Sequence, residues 1–190
     1  VVNHEILVLI GEQGLYKTTW FNFLLPPELR CYFYTKTNSD RLNKDDLFSL
    51  TEFALICFEE LDGMRPAELN QLKAMVTMPY VNERAAYGRN KERHPHIASF
   101  CGTGNNVQFL TDPTGNRRWL PFELSQIRDP HLHAIPYELV YSQAYALWKS
   151  GFCHWFSQEE IRKLNMHNSR FEVPNLEEDL IRTHFRKPFE

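Results

Sequence analysis

Residues 5 to 19 hold the stretch that most restricts what this chain can fold into. An apolar run, Glu5-Ile6-Leu7-Val8-Leu9-Ile10, passes directly into Gly11-Glu12-Gln13-Gly14-Leu15-Tyr16-Lys17-Thr18-Thr19. The run is short, β-branched and followed at once by Gly, which predicts a buried strand of a parallel sheet. Trp20, Phe21, Phe23, Leu24 and Leu25 then predict a short apolar helix stopped by Pro26-Pro27. Strand, Gly-rich turn, Lys-Thr and helix is the layout of a phosphate-binding loop. Small residues let backbone N–H groups close around phosphate oxygens, and the helix N-terminus adds partial positive charge. Gly11, Gly14, Lys17, Thr18 and Thr19 are therefore the expected nucleotide contacts, with Lys17 on the β- and γ-phosphates and Thr18 on Mg²⁺. The pattern G-x-x-x-x-G-K-[ST] is incomplete, because Tyr16 stands where the second Gly belongs. A Tyr at positive φ is costly: either the loop keeps an ordinary φ there or it has lost function. The competing reading is an ordinary Gly turn between strand and helix.

At 190 residues one domain, or one domain with a small appendage, is expected. Hydrophobic residues at 43% and charged residues at 24% suit a soluble globular chain. The formal net charge of -3 means that any nucleic-acid contact must come from a local basic patch. No apolar run is long enough to span a bilayer and no signal peptide is visible. The chain starts directly on a core strand, as expected of a piece of a longer protein. Cys57 and Cys101 lie inside apolar strand candidates and read as buried reduced thiols of a cytoplasmic protein. His94 and His96, like His131 and His133, have no Cys or carboxylate set at ligand spacing, which argues against a zinc site.

Cys31 to Tyr34 predicts a second strand nearer an edge, and Leu42, Leu47 and Leu50 predict a helix over 40–50. Phe53 to Phe58 is a second buried strand, and Pro66 opens a helix through Leu69, Leu72, Met75 and Val76. Residues 80 to 96 carry a turn signal at Tyr87-Gly88-Arg89-Asn90 and predict a hairpin or extended excursion. Ile97 to Gly102 and Trp119 to Leu124 are further strands. Tyr137 to Trp148 is a helix that Gly151 stops. Ser157 to Glu160 and Asn175 to Glu178 resemble capping boxes. Alternating core strands and helices predict an α/β sheet covered on both faces, with ligands at the carboxyl ends of the strands.

Those strand ends carry the remaining chemistry. Glu59-Glu60 supplies two carboxylates: ATP hydrolysis needs one in the Mg²⁺ shell and one to orient or deprotonate the attacking water. Adjacent strand residues point to opposite faces, so Glu59 is assigned to Mg²⁺ and Glu60 to water, with Asp62 as the alternative for either. A solvated strand end is the bland reading. Asn105 can polarise the water or touch the γ-phosphate, while Asn106 fits a helix N-cap. Arg117 and Arg118 are either a transition-state arginine supplied to a neighbouring subunit or two solvated surface residues. Arg84, Arg89, Lys91 and Arg93 surround Tyr87 and form either a contact to a nucleic-acid backbone or a solvated hairpin tip.

In this order, Glu60-Leu61-Asp62-Gly63-Met64, the stretch from Asn82 to Arg89, Gly102-Thr103-Gly104-Asn105 and the run Asp112-Pro113-Thr114-Gly115-Asn116-Arg117-Arg118-Trp119 resemble the virulence-associated protein E family. That family is found on phages, plasmids and genomic islands and is similar to the superfamily three helicases, ring-forming P-loop ATPases of replication initiation. The resemblance spans about residues 6 to 185, and the run from Asp112 to Arg118 is its most specific part. It implies a nucleotide loop at Gly11, Gly14, Lys17 and Thr18. It further implies an acidic strand end at Glu60, a polar sensor at Asn105, an arginine finger at Arg117 or Arg118, and a DNA-contacting hairpin over 84–93.

The expected architecture is an α/β P-loop NTPase of the AAA+ and superfamily three helicase type. Residues 1–155 would form the ATPase core and 156–190 a helical appendage opening a following region. The expected function is an ATP-dependent nucleic-acid translocase or helicase of a mobile element, using ATP and Mg²⁺, assembling as a homo-oligomeric ring on DNA, without a membrane. Two alternatives stand beside it. One is a catalytically weak scaffold, disabled by Tyr16, that assembles with replication proteins. The other is a kinase on the same fold, which would carry an Arg-rich lid that this sequence lacks.

Overall fold

The computed structural model describes residues 3–37, 44–83, 92–111 and 116–174, with 177, 180, 181 and 184 beyond them. In chain order the elements are β1 (Ile6–Ile10), α1 (Lys17–Leu24), β2 (Phe33–Lys36), α2 (Lys44–Glu52), β3 (Leu55–Phe58) and α3 (Pro66–Val76). There follow β4 (Tyr80–Glu83), β5 (Glu92–Pro95), β6 (Ser99–Gly104), β7 (Trp119–Glu123), α4 (Tyr137–Lys149) and α5 (Gln158–Asn168). Five strands make one parallel sheet in the order β2-β3-β6-β1-β7. β4 and β5 form a separate antiparallel hairpin.

The apolar strands alternate between two cores, which is why they tolerate no polar side. Ile6, Val8, Ile10, Ile56, Phe58 and Phe100 belong to one cluster, and Leu9, Leu55, Cys57 and Cys101 to the other. The first is sealed by Leu50 of α2, by Leu69, Leu72, Met75 and Val76 of α3, and by Phe171. The second receives Phe21 of α1 and Leu25, while Leu7, Leu124 and Trp20 on the β1–β7 side are only partly buried. The reduced Cys57 and Cys101 are buried, whereas Cys31 and Cys153 are exposed.

None of the thirteen residues of α4 is buried. The helix is tied to the end of α1 by Tyr137 Oη donating to the Phe23 carbonyl (2.6 Å) and Tyr141 Oη donating to the Leu24 carbonyl (2.9 Å). The Ser157–Glu160 capping box is present and opens α5. α5 lies past the expected boundary at 155, yet Asn168 Nδ2 donates to the carbonyls of Asn116 (2.7 Å) and Trp119 (2.9 Å). Phe171 is fully buried, and Leu110 bridges Glu172 in parallel pairing. Asn168 and Phe171 are the buried residues of the segment 157–173. The second capping box, over 175–178, lies outside the described residues. Among the described residues no helix is long and apolar enough to cross a membrane.

Candidate nucleotide-binding site

The strand order assembles the site. β6 lies between β1 and β3, so the loop after β1, the turn after β6 and the acids after β3 emerge side by side at the carboxyl edge. Lys17 is 7% exposed, and its Nζ donates to the Gly11 carbonyl, the Glu12 carbonyl (2.9 Å) and Asn105 Oδ1 (3.0 Å). Burial pushes its pKa below the ordinary Lys value, with the negative charge of Asp62 opposing the shift. Thr18 Oγ1 donates to Glu59 Oε1 at 2.7 Å. A cavity of about 230 Å³ is lined by Gln13 to Thr19, Glu59, Glu60, Thr103 and Asn105. The loop, both acids and the polar strand end expected from sequence therefore converge on one space.

Backbone geometry explains the loop. Gly14 has φ 86° and Tyr16 has φ 57°. Tyr16 does not keep the ordinary φ that one alternative required: its backbone is left-handed, at a position where a Gly would carry no steric cost. Tyr16 has no side-chain cap on α1, but its carbonyl accepts from Trp20 N–H at 2.7 Å. Gly11 has another reason to lack a side chain: a Cβ there would stand 2.7 Å from the Leu124 carbonyl oxygen, just past β7.

Three expectations are corrected. Glu59 and Glu60 lie past the end of β3, and Glu60 adopts a left-handed φ of 55°, so strand alternation does not separate them and both face the cavity. No helix starts in residues 107–111, which directly follow Asn106. Its Oδ1 accepts from Gln108 N–H at 3.0 Å, a local side-chain turn rather than a cap. Asp62 is not in the cavity lining. Its carboxylate accepts from the backbone N–H groups of Asn105 (3.1 Å) and Asn106 (3.2 Å), which orients the end of β6.

The sequence reading offers Asp62 as an alternative for either the magnesium or the water role and misses its positioning role. The signal lay in Gly102 and Gly104. A Cβ at Gly102 would overlap Leu61, and one at Gly104 would stand 3.2 Å from Asp62 Oδ1. The two glycines let the Leu61-Asp62 turn press against β6. With Asn105 Oδ1 taken by Lys17, Asn105 Nδ2 has no protein acceptor among the described residues and can donate into the cavity.

Arg117 and Arg118 do not join this group. They precede β7, whose first residue Trp119 pairs with Ile6 at the opposite edge of the sheet. There they line a separate cavity of about 370 Å³ with His4, Glu5, Trp155 and Phe156. Burial and the neighbouring Arg117 charge lower the Arg118 pKa. Arg93 is exposed on β5, its guanidinium 3.5 Å from the Tyr80 ring centroid. Arg84, Arg89 and Lys91 lie outside the described residues, as does the run 112–115.

The sequence model of the virulence-associated protein E-like domain matches residues 3–173. No curated protein matches the chain. Among solved structures it is similar to the apo form of the NrS-1 C-terminal region, with TM-score 0.50 and 13% identity over 88% of this chain and 35% of that chain. It is also similar to a P216G mutant of RuvB from Thermotoga maritima, with TM-score 0.44 and 17% identity over 64% of this chain and 38% of that one. The chain thus spans only a third to two fifths of these structures. The fold is that of a P-loop NTPase, a parallel sheet flanked by helices.

Proposed function

We propose that this chain, which belongs to the virulence-associated protein E-like domain family, is the ATP-hydrolysing module of a nucleic-acid translocase or helicase used in DNA replication by a phage, plasmid or genomic island. The observation that carries this is the pair of contacts joining three strand ends: Lys17 to Asn105 and Thr18 to Glu59. A turn that was merely structural would have no reason to bury an ammonium among loop carbonyls beside two carboxylates.

The residues fit the expected chemistry. The Lys17 ammonium is held by neutral acceptors, which phosphate oxygens would replace with stronger, charge-assisted bonds. Thr18 and Glu59 present hard oxygen donors side by side and would hold Mg²⁺, which commonly takes one or two protein oxygens with phosphates and water completing its shell. When bound, the ion supplies neutralisation of charge on the phosphate oxygens. Glu60 would accept the proton of the attacking water, and Asn105 Nδ2 would donate to the γ-phosphate or that water. Arg117 or Arg118, remote from its own loop, would act on the site of a neighbouring subunit in a ring. Arg93, with Arg84, Arg89 and Lys91, would contact the nucleic-acid backbone in a cytoplasmic replication complex.

The competing reading is a scaffold that assembles with replication proteins without turnover, and the left-handed Tyr16 favours it. An assay of MgATP hydrolysis with and without single-stranded DNA separates the two. DNA-stimulated turnover abolished in Glu60→Gln is expected. Wild-type protein that binds ATP without hydrolysing it, alone or on DNA, would favour the scaffold.

A further inference from the structure

At the amino edge of the sheet, opposite the phosphate loop, cationic and aromatic side chains meet in the cavity of about 370 Å³. Arg117 and Arg118 enter it from just before β7, Thr77 from the C-cap of α3, and Trp155 and Phe156 from the connection between α4 and α5. Ile161 of α5 adds to its apolar wall, and His4 and Glu5 line it from just before β1. The two arginines differ. Arg117 is exposed and Arg118 only partly so. Burial and the Arg117 charge lower the Arg118 pKa. Among the described residues no carboxylate pairs with either guanidinium, Glu5 included. A desolvated cation without a counter-charge is costly, so the cavity is built for an anion. Trp155 is 63% exposed, and His154 packs against its ring nearly at right angles, with centroids 4.9 Å apart.

We propose that this cavity seats one nucleotide of a single strand of nucleic acid, its phosphate on Arg118 and its base against Trp155. The seat rests on the nucleic-acid reading above and adds to it a contact outside the hairpin. A guanidinium gives phosphate oxygens forked, charge-assisted bonds, and an aromatic ring stacks on any base. A bare phosphate or carboxylate would satisfy Arg118 and leave the Trp155 ring unused. A base inside a duplex has both faces covered, so the strand is single. Position supports the same ligand. Tyr80, the first residue of the hairpin, follows Thr77 by three residues and so stands at most about 11 Å away along the chain. There the Arg93 guanidinium lies 3.5 Å from the Tyr80 ring centroid. Two neighbouring places on one edge thus combine an arginine with an aromatic ring, as a bound strand requires at successive nucleotides. Arg117, the exposed member of the pair, stays available to a neighbouring subunit.

Fluorescence anisotropy of a labelled oligothymidylate, read across a salt series without ATP, tests the seat. Arg118→Met should weaken binding and flatten the slope of log affinity against log salt by about 0.7 per subunit engaged. Trp155→Leu should weaken binding by about fivefold or more and leave the slope as it is. An arginine that served only a neighbour's ATP would move neither quantity. Wild-type affinity in either variant would overturn the seat, leave the hairpin contact standing and assign the cavity to an anionic group of another protein. Wild-type protein that does not bind the oligonucleotide would overturn the seat and the nucleic-acid reading together. Because Arg118 is partly buried, photo-cross-linking of the unmodified protein to a 5-iodouracil oligonucleotide gives a second measurement. Cross-links should include Trp155 or Phe156; cross-links confined to the hairpin would overturn the proposal.

Discussion

The Thr18 hydroxyl donates to Glu59 Oε1 across 2.7 Å, tying the first turn of α1 to the end of β3 two places away in the sheet. Glu60, the next residue, lines the same cavity but is turned by its left-handed backbone. The two carboxylates should therefore fail differently. Glu59→Ala should raise the Mg²⁺ concentration needed for ATP binding by about 10–100-fold. Glu60→Gln should bind MgATP normally and lower turnover by about 10²–10⁴-fold. Magnesium titrations of nucleotide affinity and single-turnover hydrolysis check the pair. Reversed phenotypes would exchange the two roles.

Lys17 links stability to pH in the nucleotide-free protein. Burial lowers its pKa from the ordinary 10.5, so the unfolded chain holds this proton more tightly than the folded one. Stability then rises with pH through the window between the lowered value and 10.5. Lys17→Met removes the buried charge. Its melting temperature relative to wild type should be highest near neutrality and fall as pH rises toward 10. Paired thermal melts read the difference directly, and a pH-independent difference would mean that the ammonium is not desolvated.

Asp62 should act through Asn105 rather than on the nucleotide. Each backbone N–H bonded to its charged carboxylate contributes about 1.5–3 kcal/mol, so Asp62→Ala should destabilise the fold by roughly 2–4 kcal/mol once partial replacement by water is allowed for. Its kcat should fall toward that of Asn105→Ala. The double variant should be scarcely slower than either single one, because both changes disable one group. Additive losses in a double-mutant cycle would show that Asp62 has a separate role.

These assignments show where the sequence was legible. β1, Lys17, Thr18 and the acids announced themselves because a buried strand and a phosphate loop each demand particular residues in a fixed local order. The hairpin was visible from its turn, and α4 from its period and Gly151. The positioning role of Asp62 was not legible, because it depends on the turn at Leu61–Gly63 meeting β6, a contact between segments some forty residues apart that no local pattern encodes. The same holds for α5. Its capping box was readable, but the docking of Asn168 on the carbonyls of Asn116 and Trp119 was not. The position of Arg117 and Arg118 became clear only from the parallel register of β7 with β1.

Tyr16 offers a stability gain. A left-handed non-Gly residue costs about 1–2 kcal/mol, and the extra chain entropy of a Gly returns part of that. Tyr16 is 44% exposed, so little packing is lost with its ring. Tyr16→Gly should raise the melting temperature by about 2–4 °C, while Tyr16→Ala, which keeps the strain, should not. ATP affinity at least equal to wild type in the Gly variant would show that Tyr16 is a strained member of a working loop. Lost affinity would mean that the ring itself contacts the nucleotide.

The arginine pair must serve another subunit if it serves ATP at all. Trp119 pairs with Ile6, and Lys17 lies beyond Ile10 at the other end of the strand. The strand alone separates the two groups by on the order of 13 Å, before the loops at either end are counted. An Arg117→Ala or Arg118→Ala variant should bind ATP as wild type does and hydrolyse it poorly. Lys17→Ala should do neither. In an equal mixture of the two variants, about a quarter of head-to-tail interfaces join an intact loop to an intact arginine, and activity should recover to about that fraction. Specific activity of the wild type should also rise with protein concentration as the ring assembles. A mixture no more active than its components, with wild-type activity independent of concentration, would remove these arginines from the mechanism.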